Sequence, residues 1–455
     1  MYLSAGFGLL LLYAFLSAID IKLAMGVMGG GILFFLFWLD IRWGLVVLLL
    51  SVLSGQIIRF SFGSAAILPS DGVMVVLLLV WVLKMLAEKK KFVFDVTIVS
   101  LLFFWLVSLV INLVIVERYA IDEQKTIWMY WFRLVIYSTC LPITMNITSW
   151  YVEQKKYFKW FICLGLAFLL LGFVQLVVLP DISFLTDYGW DPHQGRLLST
   201  FLDPNFAGAF LIICFAVSFS MYFGQVKWNK QKLWWIVLSG LFLGGIVLTL
   251  SRSALVALVF VFGWLAWWWD KRLLLFGLFA SITLLINDQR LMQRVVGIVE
   301  FDETAMLRLQ SWNDSWQIVQ DNFWTGIGYN ALSFEQFHRG IITDINVHSA
   351  GGSDSSYLTI WTTLGLVGLF FWLLIFVFFV SRSVIMYWRE KKDQNRKFII
   401  LGVVLAVLGV MIHAQFTNSM LYVHIMIPIW FLMGIVLGGG GVIKLNKPSK
   451  HFKHL

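Results

Sequence analysis

The chain has 455 residues, of which 60% are hydrophobic and 13% charged, with a formal net charge of +9 at neutral pH. With a mean hydropathy of +0.85, this is not a soluble domain, in which about a quarter of residues are charged; it is the composition of a polytopic membrane protein. The positive excess recurs in loops between apolar runs, so it speaks of membrane topology and not of nucleic acid.

A membrane span takes about 20 mostly apolar residues. Fourteen runs qualify, at 2–18, 23–39, 44–58, 72–87, 94–116, 128–149, 160–179, 205–223, 233–250, 253–269, 273–287, 357–381, 398–414 and 419–440. The runs 44–58 and 273–287 are short, and 233–269 is nearly continuous, divided only at Ser251-Arg252-Ser253. The expectation is an all-α polytopic protein with about 12–14 transmembrane helices. The first run has no basic segment before it and no small-residue cleavage site after it, so it reads as a retained span and not a signal peptide.

Lys and Arg fix orientation, because short loops rich in them stay in the cytoplasm. Clusters at Lys89-Lys90-Lys91, Lys155-Lys156-Lys159, Lys227-Lys230-Lys232, Lys271-Arg272, Arg389 to Lys397 and Lys444 to Lys453 recur after every second span. With both termini inside, cytoplasmic segments hold 23 of the 34 Lys and Arg, while 18 of the 25 Asp and Glu lie outside. The chain then divides into amino-terminal spans (1–180), an outer loop (181–204), central spans (205–287), a large outer loop (288–355), carboxy-terminal spans (356–440) and a basic cytoplasmic tail (441–455).

The outer loop 181–204 mixes carboxylates, turn formers and the rings of Tyr188 and Trp190. Such a mixture suits sugar, whose apolar faces stack on rings while its hydroxyls donate to carboxylates. The plainer reading is a polar hairpin with both rings in the interfacial aromatic belt. The three cysteines, Cys140, Cys163 and Cys214, all fall in predicted spans and suggest neither a disulfide framework nor a metal site; no His/Glu pattern predicts structural zinc.

Arg252 stands at the outer edge of two apolar runs. It is either an arginine that snorkels to the headgroups or a fixed charge at phosphate depth, where a guanidinium offers planar, bidentate donors to phosphate oxygens. Arg196 and Arg308 sit in outer segments from which they can meet the same anion. Arginines aimed at a diphosphate leaving group would stabilise the charge that develops as its bond to sugar breaks.

The loop 288–355 is a polar island between apolar runs. Within it Ala305, Leu309, Trp312, Trp316 and Val319 recur at spacings of 4, 3, 4 and 3, predicting an amphipathic helix at the interface or against the bundle, with Asp302 and Glu303 at the positive end of its dipole. Gly326-Ile327-Gly328 follows as a tight turn. The segments 96–116, 357–381 and 398–440 contain no Asp, Glu or Lys, and only His413 and His424 bracket the last outer turn. Ion-coupled transport normally needs carboxylates within the membrane, which makes a transporter the weaker reading.

Four strings occur in order: Gly195-Arg196 leading to Thr200-Phe201-Leu202-Asp203-Pro204-Asn205; Ser251-Arg252-Ser253; Arg308-x-x-x-Trp312 followed by Gly326-Ile327-Gly328; and Asp354-Ser355 followed by Gly365-Leu366-Val367-Gly368. Together, over about residues 190–370, they resemble the O-antigen ligase and O-antigen polymerase family of bacterial envelope proteins. The resemblance implies a GT-C-like glycosyltransferase of the bacterial cytoplasmic membrane with its active site facing the periplasm or cell exterior. Its donor would be an undecaprenyl-diphosphate-linked oligosaccharide and its acceptor a second glycan. Polysaccharide-assembly proteins would be its partners in the bilayer, and it would use no nucleotide sugar and no metal. It also implies diphosphate contacts for the arginines at Arg196 and Arg252, and a histidine at the position held here by Asp354. Either Asp354 or His348 then serves as the base that activates the acceptor hydroxyl, unless Asp354 only caps the next helix. Tyr188, Trp190, Trp312, Trp316 and Trp324 are candidates for the sugar path. The expected function is polymerase, with inversion at the anomeric carbon; the rivals are a ligase acting on another acceptor, a lipid-glycan or anion transporter, and an envelope scaffold.

Overall fold

In lipid a backbone can satisfy its hydrogen bonds within one segment only as a helix, and helices are what the apolar runs form. A computed structural model describes residues 21–62, 65–188, 190–225, 227–299, 303–345 and 352–439. In chain order come α1 (Ile21–Leu39), α2 (Arg42–Ser54), a hairpin of β1 (Phe60–Phe62) and β2 (Ala65–Ile67), α3 (Pro69–Ala87), α4 (Val96–Ile115), α5 (Ile121–Ser138), α6 (Cys140–Tyr151) and α7 (Gln154–Val178). There follow α8 (Pro204–Gly224), α9 (Lys230–Thr249), α10 (Arg252–Trp269), α11 (Arg272–Asn287), α12 (Gln289–Val299), α13 (Glu303–Asp321), α14 (Leu332–His338), α15 (Ser356–Arg389), α16 (Gln394–His413) and α17 (Val423–Gly438). Among the described residues eight helices are long and apolar enough to cross a membrane, and four shorter apolar helices accompany them.

Every predicted span except 2–18, which lies outside the described residues, has a helical counterpart. Two differ in kind. The run 128–149 is two helices, α5 and α6, separated at Thr139, with Pro142 in the first turn of α6 where its missing N–H costs nothing. The run 357–381 extends to Arg389 and is interrupted at Gly365, whose φ of 64° and ψ of −177° are not helical.

Helices in lipid gain little from hydrophobicity toward one another and depend on close packing. Accordingly α8 is buried over most of its length between α9 and α16, and α17 over its whole length. Helix α17 lies against α6 through the small-residue pair Gly434 and Gly438; a Cβ on Gly434 would come within 2.9 Å of the Leu141 carbonyl. Exposed apolar side chains such as Leu275, Phe276, Phe279 and Val259 face outward from α10 and α11, where lipid covers them.

Polar contacts sort to two ends. At one, Arg42 pairs with Asp40 at 2.8 Å and Glu153 at 3.0 Å, Lys155 with Asp393 at 2.8 Å, Arg396 with Glu390 at 3.2 Å and Arg382 with Asp95 at 3.2 Å. At the other, the loop after α2, the segment 180–203, the α9–α10 turn, α12 to α14 and the turn between α16 and α17 interlock. There the Gln56 amide N–H reaches the Thr200 carbonyl at 2.9 Å and its side chain reaches the Tyr422 hydroxyl at 3.0 Å.

Candidate functional site

The site is built where α9 gives way to α10. Leu250, at φ 50°, turns the chain, and Arg252 becomes the first residue of α10. Its guanidinium donates to the Gly297 carbonyl near the end of α12 at 2.9 Å. Arg308 reaches the same space from α13. Arg252, Ser253, Val256, Gly297, Ala305, Arg308, Leu309, Trp312 and Phe416 line a cavity of about 200 Å³. That is below the roughly 300–1,000 Å³ of a pocket that encloses a drug-sized ligand, so it suits one anionic head group between two arginines and an apolar wall.

Arg196 is held a step away. Its Nε donates to the Thr249 carbonyl at 2.9 Å and its Nη2 to the Leu250 carbonyl at 3.4 Å, so it caps the end of α9. Burial pushes its guanidinium down to about 10, as do the charges of Arg294 and Arg252, against the opposing pull of Asp203. His193 is pushed down to about 4, first by burial and then by Arg196 and Arg294, with Asp191 opposing. Arg196, Arg294 and Arg252 therefore form a self-repelling cluster whose field an anion would relieve. Arg294 is the member that sequence reading passed over as a site residue. Its signal was faint: it follows Arg290 by four residues, one helical turn on α12.

Asp354 sits in the left-handed region, at φ 52°, a conformation that non-glycine residues adopt at a cost. It does not cap α15. Ser355 does, accepting from the Leu358 N–H at 3.4 Å, while Ser353 is buried and bonded to Thr359 at 2.9 Å. The Asp354 carboxylate is thus free of the helix, and burial raises its pKa, partly offset by Arg308 and reinforced by Asp191. Arg308 therefore links Asp354 to the cavity electrostatically. His348 lies outside the described residues, as does Asp302.

The aromatic candidates divide. Trp312 lines the cavity, its ring 6.4 Å from Phe416. Trp316 stands edge-on to Trp361 at 5.4 Å, which fastens α13 to α15. Trp190 covers the Arg59 guanidinium at 5.7 Å, Tyr188 is exposed, and Trp324 is exposed with its edge on Phe323. Of the five rings, that of Trp312 lines the cavity beside Arg252 and Arg308. The predicted stripe on α13 is realised in part: Val319 is buried, while Leu309 remains exposed at the cavity rim.

The interruption of α15 explains two of the sequence strings at once. At Gly365 the helix leaves backbone groups without helical partners, and residues 323–328 supply them: Leu366 N–H donates to the Phe323 carbonyl at 2.9 Å, Ile327 N–H to Thr362 at 3.1 Å and Gly328 N–H to Thr363 at 2.9 Å. A Cβ on Gly365 would strike the Trp324 carbonyl, and one on Gly326 would meet the Thr363 carbonyl at 2.5 Å. The turn expected at Gly326-Ile327-Gly328 is therefore a docking strip. It is secured from the far side by the Tyr119 hydroxyl on the Ile327 carbonyl at 3.0 Å and by Asn112 on the Tyr329 N–H at 2.8 Å.

Fold and site together define an all-α polytopic membrane protein with a cationic cavity at one end of the bundle. Residues 237–373 match the family model described as O-antigen ligase. That stretch runs from α9 into α15 and contains Arg252, Arg294, Arg308, Asp354 and the docking strip, so this part of the chain is similar to that family. Comparison with curated proteins gives no match. The match supports a polysaccharide-related glycan ligase or polymerase.

Proposed function

We propose that the protein polymerises a cell-surface polysaccharide on the outer face of the bacterial cytoplasmic membrane. It would transfer a glycan from an undecaprenyl-diphosphate donor to a second lipid-linked repeat unit. The observation that carries this reading is the convergence of Arg252 and Arg308 on one small cavity, with Arg196 and Arg294 adding to the charge beside Arg252 and Asp354 coupled to Arg308. The donor diphosphate would lie between Arg252 and Arg308, with its prenyl chain toward Val256 and Leu309. The Asp354 carboxylate takes the proton of the acceptor hydroxyl. The oxygen attacks the anomeric carbon opposite the diphosphate; the carbon–oxygen bond to phosphate breaks, the electron pair leaves on the diphosphate, and configuration inverts. The arginines stabilise that departing charge, the place where preorganised electrostatics contribute most to rate. The proton on Asp354 is returned to solvent before the next turn.

The second reading is a ligase, supported by the description of the matched domain. Incubating the purified protein in lipid nanodiscs with a defined undecaprenyl-diphosphate oligosaccharide separates the two. A ladder rising by whole repeat units is the expected result. Single transfer that needs a second kind of acceptor would favour the ligase, and no transfer to any acceptor would favour transport.

A further inference from the structure

Beneath the cavity runs a buried chain of side chains that the chemistry above does not use. Asn205, at the start of α8, accepts through Oδ1 from the Ser251 hydroxyl at 2.7 Å. Ser251 and Ser253 share a hydrogen bond of 3.1 Å, Ser253 meets His413 Nε2 at 2.9 Å, and His413 Nδ1 meets the Ser419 hydroxyl at 2.5 Å. Ser251, Ser253, His413 and Ser419 are 1%, 5%, 0% and 0% exposed, so the chain is shielded from bulk water except where Ser253 meets the cavity. Of the chain, only Ser253 lines the cavity with Arg252 and Arg308.

The donors can be assigned by elimination. A hydroxyl has one proton, and that of Ser251 is spent on the Asn205 carbonyl oxygen, so Ser251 can only accept from Ser253. Ser253 therefore gives its own proton away and needs a donor of its own, which is the Nε2–H of His413. His413 Nδ1 then accepts from Ser419. The Ser253 proton is the one in the chain that an anion in the cavity can draw off, in exchange for its bond to Ser251, while the Nε2–H of His413 still holds the Ser253 oxygen.

We propose that Ser253 is a hydroxyl ligand of the anion held by Arg252 and Arg308. His413 is its positioning residue, holding the Ser253 oxygen as acceptor so that its proton is offered to the cavity. The inference rests on the diphosphate reading above and adds to it a neutral donor. Such a donor contributes direction where the guanidiniums contribute charge.

The test measures undecaprenyl diphosphate binding to the full-length protein in nanodiscs, by titration and by phosphorus NMR of the bound diphosphate. The variants are S253A, H413A, H413Q, S253A/H413A and R252A. Loss of a hydrogen bond to a charged group predicts about tenfold weaker binding for S253A. H413A should weaken binding by a similar factor, the double variant no further than S253A alone, and H413Q, whose amide N–H can replace Nε2–H, should recover part of it. Both single variants should shift the phosphorus resonance. Losses that add in the double variant would make His413 structural and overturn its positioning role. S253A binding as tightly as wild type, with R252A weakened, would overturn the proposal and leave the diphosphate reading intact; S253A decides this even if the His413 variants fail to fold. If wild type binds no undecaprenyl diphosphate, the reading and the inference fall together.

Discussion

Asp354 carries the sharpest test at the scale of a residue. Its carboxyl is held above the ordinary range by burial, with Arg308 opposing. A base must be ionised to accept a proton, so turnover should fall as pH drops through this raised pKa, and the acid limb of the rate profile should lie above that of an exposed carboxylate. D354N should lower kcat by about 10²–10⁴-fold, the usual contribution of a general base, with little change in donor binding and with the acid limb gone. Folding gives an independent sign. A carboxyl whose pKa is higher folded than unfolded contributes stability below the unfolded pKa and loses it as pH rises through the folded one. D354N should therefore melt no lower than wild type at neutral pH; a clearly lower melting temperature with unchanged kcat would assign Asp354 to structure. Arg252 was legible in the sequence because an arginine between two apolar runs is conspicuous, and Arg308 because it stands in an outer segment four residues before Trp312. Arg294 was not, because its company with Arg196 comes from the docking of α12 beside the 180–203 segment, which no spacing reports. The same holds for His413, whose partner Ser253 is 160 residues away.

At the scale of an element, the interrupted helix α15 departs most from its hydropathy. The run from 357 looked like an ordinary span, since a window average does not see one residue with φ 64° and ψ −177°. That region of backbone space is essentially reserved for glycine, and other residues there cost about 1–3 kcal/mol before any clash. G365A adds the clash with the Trp324 carbonyl. It should lower the melting temperature markedly and release residues 323–328, seen as faster amide hydrogen exchange there. G240A, on α9 where a Cβ would meet nothing within 4 Å, is the control and should behave as wild type. If both variants melt alike, the docking strip is not what holds the island. The amphipathic helix α13 was legible from its spacing. That it would bury Val319 and clasp Trp361 through Trp316, leaving Leu309 at a cavity rim, depended on α15 and was not.

At the scale of the molecule, the contacts that gather at two opposite ends agree with the alternation of basic and acidic loops along the chain. The pairing of Lys155 with Asp393 marks one end and the cavity marks the other. If the basic end is cytoplasmic, Ser183→Cys should react with a membrane-impermeant maleimide on intact cells, and Lys391→Cys only after permeabilisation; the opposite pattern would turn the site inward. Thirteen of the fourteen predicted runs have helical counterparts, because hydropathy is a property of length and composition, whereas the breaks at Thr139 and Gly365 belong to single residues. The arginine cluster has one more consequence. Once the glycan has left, the carrier's diphosphate bears more negative charge than the donor did, so guanidiniums that favour its departure also detain it. On the proposed chemistry the enzyme is then its own product's trap: rapid mixing should show one fast transfer per molecule followed by a slower steady rate, and a phosphatase that consumes the spent carrier should abolish the difference. The tempo of glycan growth would then be set by how quickly the membrane clears an exhausted lipid.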